Sequence, residues 1–190
     1  GSQLAEAWRC HGRQVDRSFL VEQMTDVGVT DAGTLIDRRP SSWSGGMLQR
    51  ASIVAATALR PLLVLADEPT SAVDRPLARR MLALLAERSD SLIAVTHDID
   101  LVRGLFDRVV VLYAGKIVED AEAEHFLTSP RHPYSRSLVA AVPKPGVLPS
   151  ELPGDPPSLL HPIEGCSFAP RCSSAAAICR TPPTLVAGVS

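Results

Sequence analysis

The sequence predicts an α/β layer fold with a partly parallel sheet. Two short apolar runs end in polar residues, "LLVLADE" (62–68) and "SLIAVTHD" (91–98), and each is typical of a strand with functional groups at its carboxyl end. A helical pattern, "LARRMLALLAER" (77–88), lies between them, with Pro76 where the first turn of a helix accepts proline. Strands that alternate with helices indicate a layered α/β fold, with the first run predicted as a buried parallel strand.

The remaining elements follow from local patterns. Residues 3–40 have helical spacing, with Val15, Phe19, Leu20, Met24 and Val27 on one face and a stop at Pro40. Ser44 is a good N-cap for a helix that begins with "GGMLQR". Further along, the patterns predict a short helix at "LVRGLF" (101–106), a hairpin that turns at Ala114–Gly115, and a terminal helix that ends near Val142.

The composition changes near residue 143. Ten of the 16 prolines lie between Pro143 and Ser190, and regular apolar periodicity stops there. We therefore predict a boundary at about 143, followed by an extension that is held by something other than a large core.

Charge and hydropathy exclude two classes. The formal net charge is -2, with 19 basic and 21 acidic residues and no block of one sign, so nucleic acid is not a predicted partner. The longest apolar stretch, Ile53 to Ala66, is interrupted by Thr57, Arg60 and Pro61 and is too short to span a bilayer.

Three short motifs are candidates for phosphate chemistry. The start of a helix at Ser44, Gly45 and Gly46 offers unpaired N–H groups and a favourable field to an anion, although an ordinary capped helix has the same pattern. Asp67 and Glu68 could divide two tasks, holding hydrated Mg²⁺ and activating a water, or could be a surface acid pair. His97, at the tip of the next strand, could bond a γ-phosphate or be structural.

In this order, the motifs resemble the nucleotide-binding subunit of ATP-binding-cassette (ABC) transporters. The matching pieces are the signature "WSGGM", the Walker B strand "LLVLADE", the D-loop "SAVD" (71–74) and the switch histidine His97. "HPYSRSL" (132–138) and "GCSFAPRC" (165–172) resemble the branch that energises uptake of dipeptides and oligopeptides, with nickel importers as relatives. The resemblance implies a partial P-loop NTPase fold: a helical subdomain with the signature at 1–59, the C-terminal part of the ATPase core at 60–142, and the proline- and cysteine-rich extension at 143–190.

The resemblance also implies roles for individual residues. Asp67 would hold Mg²⁺ through water, Glu68 would be the general base for the attacking water, and His97 would contact the γ-phosphate. Ser44, Gly45 and Gly46 would bind the γ-phosphate of ATP held by the opposite subunit, and Asp74 would help to join the two subunits.

The P-loop, G-x-x-x-x-G-K followed by Ser or Thr, does not occur in these 190 residues, and "AGKI" (114–117) has no hydroxyl after its lysine. We therefore expect the chain to be an incomplete form that does not hydrolyse ATP alone, although the intact subunit would. The missing strands should leave the apolar faces of "LLVLA" and "LIAV" exposed, so self-association is expected.

Three cysteines form a second constellation. Cys166, Cys172 and Cys179 have the spacing C-x5-C-x6-C, and clustered thiols in a cytosolic ATPase suggest metal or iron–sulfur ligation. The resemblance implies an iron–sulfur (4Fe–4S) cluster with a fourth cysteine that the extension lacks. Cys10 lies more than 150 residues earlier and would require the chain to fold back, so the site is expected to be incomplete. Zinc and a set of thiols with no metal remain alternatives.

The expected function is the ATP-binding and ATP-hydrolysing subunit of a peptide importer, with ATP and Mg²⁺ as cofactors. The implied partners are a second ATPase subunit, transmembrane permease subunits and, indirectly, a periplasmic or extracellular substrate-binding protein, with a peripheral location on the cytoplasmic face of the membrane. Two alternatives remain: an accessory protein that donates Ser44–Gly46 to a complete ATPase, and an iron–sulfur or metal-binding module. The sequence does not distinguish peptide from nickel or another solute.

Overall fold

A computed structural model describes residues 1–71, 73–143, 146, 152, 154–158, 160 and 163–181. The chain forms two compact units, residues 1–97 and 98–190, which are described separately below. The segment boundaries after residues 59 and 142 stay predictions from the sequence.

The first unit contains five helices and a two-stranded parallel sheet among its described residues. In chain order its elements are α1 (Ser2–Arg9), α2 (Arg17–Asp26), α3 (Ala32–Leu35), a 3-10 turn (Pro40–Ser42), α4 (Gly45–Ala56), β1 (Leu63–Asp67), α5 (Arg75–Glu87) and β2 (Ser91–Val95).

Side-chain caps fix where three of these helices begin. The Asp16 side chain accepts a hydrogen bond from the N–H of Phe19 and begins α2, and Ser44 Oγ accepts one from Met47 at 3.3 Å and begins α4. Asp74 accepts from the N–H of Leu77 at 3.0 Å, and Pro76 lies in the first turn of α5. The predicted cap at Ser44 and the predicted position of Pro76 are confirmed.

The helices of this unit share an apolar core and two polar cross-links. Met24, Val27 and Val54 are fully buried. Arg50 of α4 donates to the carbonyl oxygen of Gly28 at 2.8 Å, and Arg88 pairs with Asp26 at 2.9 Å. These contacts hold α4 and α5 against the α2 region.

The sheet of the first unit is parallel, as predicted, but one face of its strands is exposed. The register runs from Leu63 opposite Ser91 to Asp67 opposite Val95. Leu65 is 72% exposed and Ile93 is 57% exposed. The prediction of a buried strand is therefore wrong for this chain, because burial requires neighbouring elements on both faces of a strand, whereas the expected exposure of "LLVLA" and "LIAV" is confirmed. Self-association through these faces stays a prediction.

The second unit is built around an antiparallel hairpin. Its elements are a 3-10 turn (Ile99–Leu101), β3 (Arg108–Tyr113), β4 (Lys116–Glu122), α6 (Ala123–Thr128), α7 (Pro133–Ala140) and two further 3-10 turns (Ala169–Arg171 and Ala177–Arg180). The hairpin turns at Ala114–Gly115, as predicted, with φ angles of 49° and 75°. The predicted terminal helix is α7.

The short helix predicted at "LVRGLF" is wrong. The structure has only the 3-10 turn Ile99–Leu101, followed by turns in which Gly104 takes a φ of 68°. By itself, a helix of six residues forms too few hydrogen bonds to offset the free energy of nucleation, and a glycine in the left-handed conformation cannot continue an α-helix.

Glu119 fastens the start of α7 to the hairpin. Its side chain is buried, and it accepts hydrogen bonds from the backbone N–H groups of Arg131 and His132, both at 2.8 Å. Burial alone raises the pKa of Glu119, but these hydrogen bonds favour the carboxylate and hold the pKa below its ordinary value. Burial lowers the pKa of His132, whose Nδ1 accepts from the N–H of Tyr134 at 3.1 Å and caps α7.

An aromatic cluster joins the cysteine-bearing segment to this unit. Phe168 lies 5.2 Å from Tyr113, 5.4 Å from Tyr134 and 5.8 Å from His132, measured between ring centroids. Arg171 also donates to the hydroxyl oxygen of Tyr113 at 3.3 Å. The predicted extension is thus held by a small aromatic cluster at its "GCSFAPRC" motif.

Across the described residues, no helix is long and apolar enough to cross a membrane.

Candidate functional site

The two predicted acids lie at the carboxyl end of β1. Asp67 is the last residue of the strand, and it is exposed. Glu68 follows, and its N–H donates to the carbonyl oxygen of Val95 at 2.9 Å, which extends the contact with β2 by one residue. The backbone therefore brings Glu68 to the tip of the neighbouring strand.

Glu68 and His97 form a close pair at this edge. His97 Nδ1 lies 2.8 Å from Glu68 Oε1, with the histidine side chain 79% exposed and the glutamate 37% exposed. Because an ionised carboxylate can only accept, the proton of this bond lies on Nδ1. The sequence predicted both residues, and the structure brings them together.

The backbone of Glu68 has an unusual conformation. Its φ is 46°, in the left-handed region. That region costs a non-glycine residue roughly 1–2 kcal/mol. Such residues persist where surrounding contacts hold them, and they cluster at functional sites. Glu68 is held by Val95 at its N–H, by Ser71 at its carbonyl oxygen (3.3 Å) and by His97 at its side chain.

The start of α4 has the form that an anion site requires. Ser44 is in extended conformation, and Gly45 opens the helix. A methyl group added at Gly45 would meet nothing within 4 Å, so the backbone there is open to close approach. Ser44 Oγ serves as the cap of α4, and the N–H groups in the first turn of a helix are the groups that bind phosphate in proteins with such a site.

Asp74 has a local role that the sequence did not predict. Its side chain caps α5. Its predicted part in joining two subunits stays a prediction.

Gln49 is a site residue that sequence reasoning missed. Its Nε2 donates to the carbonyl oxygen of Glu68 at 3.2 Å and also to the carbonyl oxygen of Pro69. A glutamine one turn inside a helix carries no signal in a single sequence, since only the tertiary fold brings it to the strand end.

The donor set at the strand ends fits Mg²⁺ held through water. Asp67 is an exposed carboxylate beside Glu68, and hydrated Mg²⁺ is commonly bound by one or two carboxylates. In the part of the chain that the structure describes, no group of three or more His, Cys, Asp or Glu side chains is placed to hold a metal.

The predicted iron–sulfur site is not supported. Cys166, Cys172 and Cys179 are free thiols. Cys166 and Cys179 meet through their backbones, with the N–H of Cys166 donating to the carbonyl oxygen of Cys179 at 2.8 Å, but the three side chains form no metal-binding group among the described residues.

Comparisons with known proteins agree with these motifs. Residues 6–71 match the family described as ABC transporter. This match spans 66 of the 190 residues and includes Ser44–Gly46, Asp67 and Glu68. Residues 118–179 match the family described as oligopeptide/dipeptide transporter, C-terminal region.

Curated relatives carry names from the same branch. The chain is 40% identical over 193 residues to the probable peptide ABC transporter ATP-binding protein y4tR of Sinorhizobium fredii, a match that covers 95% of this chain and 57% of that protein. It is 37% identical over 195 residues to the oligopeptide transport ATP-binding protein OppD of Haemophilus influenzae, covering 97% of this chain and 60% of the relative. The dipeptide transport ATP-binding protein DppD of Lactococcus lactis is 37% identical, with coverage of 94% and 54%.

The chain thus spans little more than half the length of these relatives. Among solved structures, a dimeric post-hydrolysis state of the ATP-binding cassette MJ0796 bound to ADP and Pi matches with a TM-score of 0.48 and 27% identity, over 56% of this chain and 46% of that one.

Proposed function

We propose that this chain supplies the signature and the hydrolytic residues of the ATPase subunit that energises import of dipeptides or oligopeptides. The observation that carries the proposal is the 2.8 Å contact between Glu68 and His97, beside Asp67, at the carboxyl ends of two parallel strands. The family matches and the names of the relatives support the same conclusion.

Each residue at the strand ends has a distinct task in this proposal. Glu68, as an ionised acceptor, orients the attacking water and takes its proton. His97 holds its Nδ1 proton toward Glu68, and its Nε2, which faces away from the carboxylate, would donate a second proton to the γ-phosphate from the doubly protonated ring. Asp67 would hold Mg²⁺ through water, and the bound ion supplies charge that offsets the developing negative charge on the phosphate.

The start of α4 acts on a second nucleotide. Ser44, Gly45 and Gly46 would contact the γ-phosphate of ATP bound to an opposite subunit, through a helix N-terminus that favours anions. Asp74, at the start of α5, would lie near the contact between the two ATPase subunits.

The remaining partners follow from the same proposal. The subunit would bind permease subunits peripherally at the cytoplasmic face of the membrane, and the substrate-binding protein would act on it only indirectly. Peptide is favoured as the solute because residues 118–179 match the C-terminal region of oligopeptide and dipeptide transporters.

A polypeptide of these 190 residues should not hydrolyse ATP by itself. The backbone N–H groups and lysine of a P-loop position Mg·ATP, and this motif does not occur in the sequence.

A complementation experiment tests the proposal. The chain is mixed with a full-length ATPase subunit that contains a P-loop but whose own signature serine is replaced by arginine, and ATP hydrolysis is measured. We expect the wild-type chain to restore hydrolysis, Ser44→Arg to abolish the rescue, and Glu68→Gln to leave it intact, since Glu68 serves the site that lacks a P-loop. Rescue by Ser44→Arg, or no rescue by the wild-type chain, would contradict the proposal.

A further inference from the structure

Gln49 links the helix that carries the signature to the strand end that carries the general base. It lies one turn inside α4 (Gly45–Ala56), and its Nε2 donates to the carbonyl oxygens of Glu68, at 3.2 Å, and Pro69. A side-chain amide has two N–H donors. Gln49 therefore has one N–H available for each of the two consecutive carbonyl groups that follow β1.

The chemistry of this contact is that of a donor. Gln49 Oε1 is buried and has no hydrogen-bond partner among the described residues. The polar contacts of this amide with the chain are therefore the hydrogen bonds that its nitrogen donates to Glu68 and Pro69. A residue of similar length without N–H groups would fill the space but would not hold the carbonyl groups.

The carbonyl group that Gln49 holds belongs to a residue with a strained backbone. Glu68 has a φ of 46°, and its side chain meets His97 Nδ1 at 2.8 Å. Rotation about the N–Cα bond of Glu68, which would change this φ, would move both the held carbonyl group and the direction of the Glu68 side chain. A donor fixed on a helix opposes that rotation.

We infer that Gln49 is a positioning residue that fixes the backbone of Glu68 and thereby the orientation of its carboxylate toward His97. The inference rests on the proposed function, because it assigns the general base to Glu68. In a dimer, Ser44–Gly46 and Glu68 of one chain would serve two different nucleotides. Gln49 would then join the two sites within one chain.

The test uses NMR of the 190-residue protein without nucleotide. Gln49→Met removes the donors at similar length, Glu68→Gln gives the signature of a His97 ring that has lost its carboxylate, and Ser52→Ala is the matched control. Ser52 is exposed on the same helix, and among the described residues its hydroxyl bonds only to the carbonyl oxygen of Leu48, within α4.

We expect Gln49→Met to shift the His97 ring resonances in the same direction as Glu68→Gln and to speed hydrogen exchange of the Ser71 amide several-fold, because that amide donates to the carbonyl oxygen of Glu68. Ser52→Ala should change neither signal. A folded Gln49→Met protein with wild-type His97 resonances would overturn the inference, since a residue that only fills space would leave them unchanged.

The wild-type protein provides a second test if Gln49→Met does not fold. The side-chain N–H protons of Gln49 should exchange more slowly than those of the exposed Gln14. Equal exchange rates would overturn the inference. Neither of these NMR measurements requires ATP. If the complementation experiment failed but the Gln49 side-chain protons exchanged slowly, the proposed function would be refuted, whereas the positioning of Glu68 by Gln49 would stand.

Discussion

Replacing Glu119 by alanine is expected to destabilise the second unit strongly. Glu119 is 6% exposed, and its carboxylate accepts hydrogen bonds from the backbone N–H groups of Arg131 and His132 at 2.8 Å each. A fully buried donor left without a partner costs about 1–3 kcal/mol, so the loss of both hydrogen bonds, which are partly buried, should lower the free energy of unfolding by at most about 2–6 kcal/mol. We expect the lower half of that range, because water can enter the space of the removed side chain.

Urea unfolding can measure the stability of each unit separately, because each unit contains its own type of aromatic reporter. Both tryptophans, Trp8 and Trp43, lie in the first unit, and both tyrosines, Tyr113 and Tyr134, lie in the second. Near-ultraviolet circular dichroism of the tyrosines should therefore report an earlier transition in Glu119→Ala, while the tryptophan signal should keep its midpoint.

The adjacent Asp120 provides the control. Its ion pair with Arg108, at 2.6 Å, is on the exposed face of the hairpin. Such pairs contribute little, so Asp120→Ala should change the tyrosine midpoint only slightly. Equal midpoints for Glu119→Ala and Asp120→Ala would refute the role assigned to Glu119.

Two further predictions concern the second unit. Acid should destabilise it in two stages, because its folded state favours the deprotonated forms of His132 and Glu119. Its free energy of unfolding should first decline as the pH falls below 6.5, the ordinary pKa of histidine. It should decline again as the pH falls from 4.5, the ordinary pKa of glutamate, through the lowered pKa of Glu119. The tyrosine urea midpoint, measured across this range, checks both stages, and a midpoint independent of pH would contradict them. Gly165→Ala should make the Cys179 thiol react faster with a thiol reagent, because the added Cβ would clash with the carbonyl oxygen of Cys179 and displace this segment. Gly12 has the same φ of 72° as Gly165, but a Cβ added there would meet no atom within 4 Å. Gly12→Ala should therefore leave the reaction rate of the Cys179 thiol unchanged.

Local sequence patterns predicted the features that depend on neighbouring residues in the chain. The cap at Ser44, the proline in the first turn of α5 and the turn at Ala114–Gly115 each require only a few adjacent residues. The polar tips of the two strands were also predictable, since a run of apolar residues marks a strand and its end marks the site. The structure adds that the parallel register brings Glu68 and His97 into contact.

Features that depend on distant residues could not be predicted. The local pattern of β1 indicated a buried strand, whereas Leu65 is 72% exposed, and only the lack of a P-loop in the sequence pointed to that exposure. The sequence around Glu119 indicates an ordinary polar residue of a hairpin. Its hydrogen bonds to the backbone before α7 depend on the tertiary fold, which brings that helix beside the hairpin. Gln49 likewise needs the packing of α4 against the end of β1 to acquire its partners.

ATP hydrolysis by a completed subunit tests the central claim most directly. The chain would be joined to the P-loop-containing segment of a relative, and turnover would be compared between the wild-type protein and Glu68→Gln. General base catalysis contributes about 10²–10⁴-fold, so Glu68→Gln should reduce turnover by at least about 100-fold while ATP binding persists. Turnover at the wild-type rate in Glu68→Gln would contradict the assignment of the hydrolytic site.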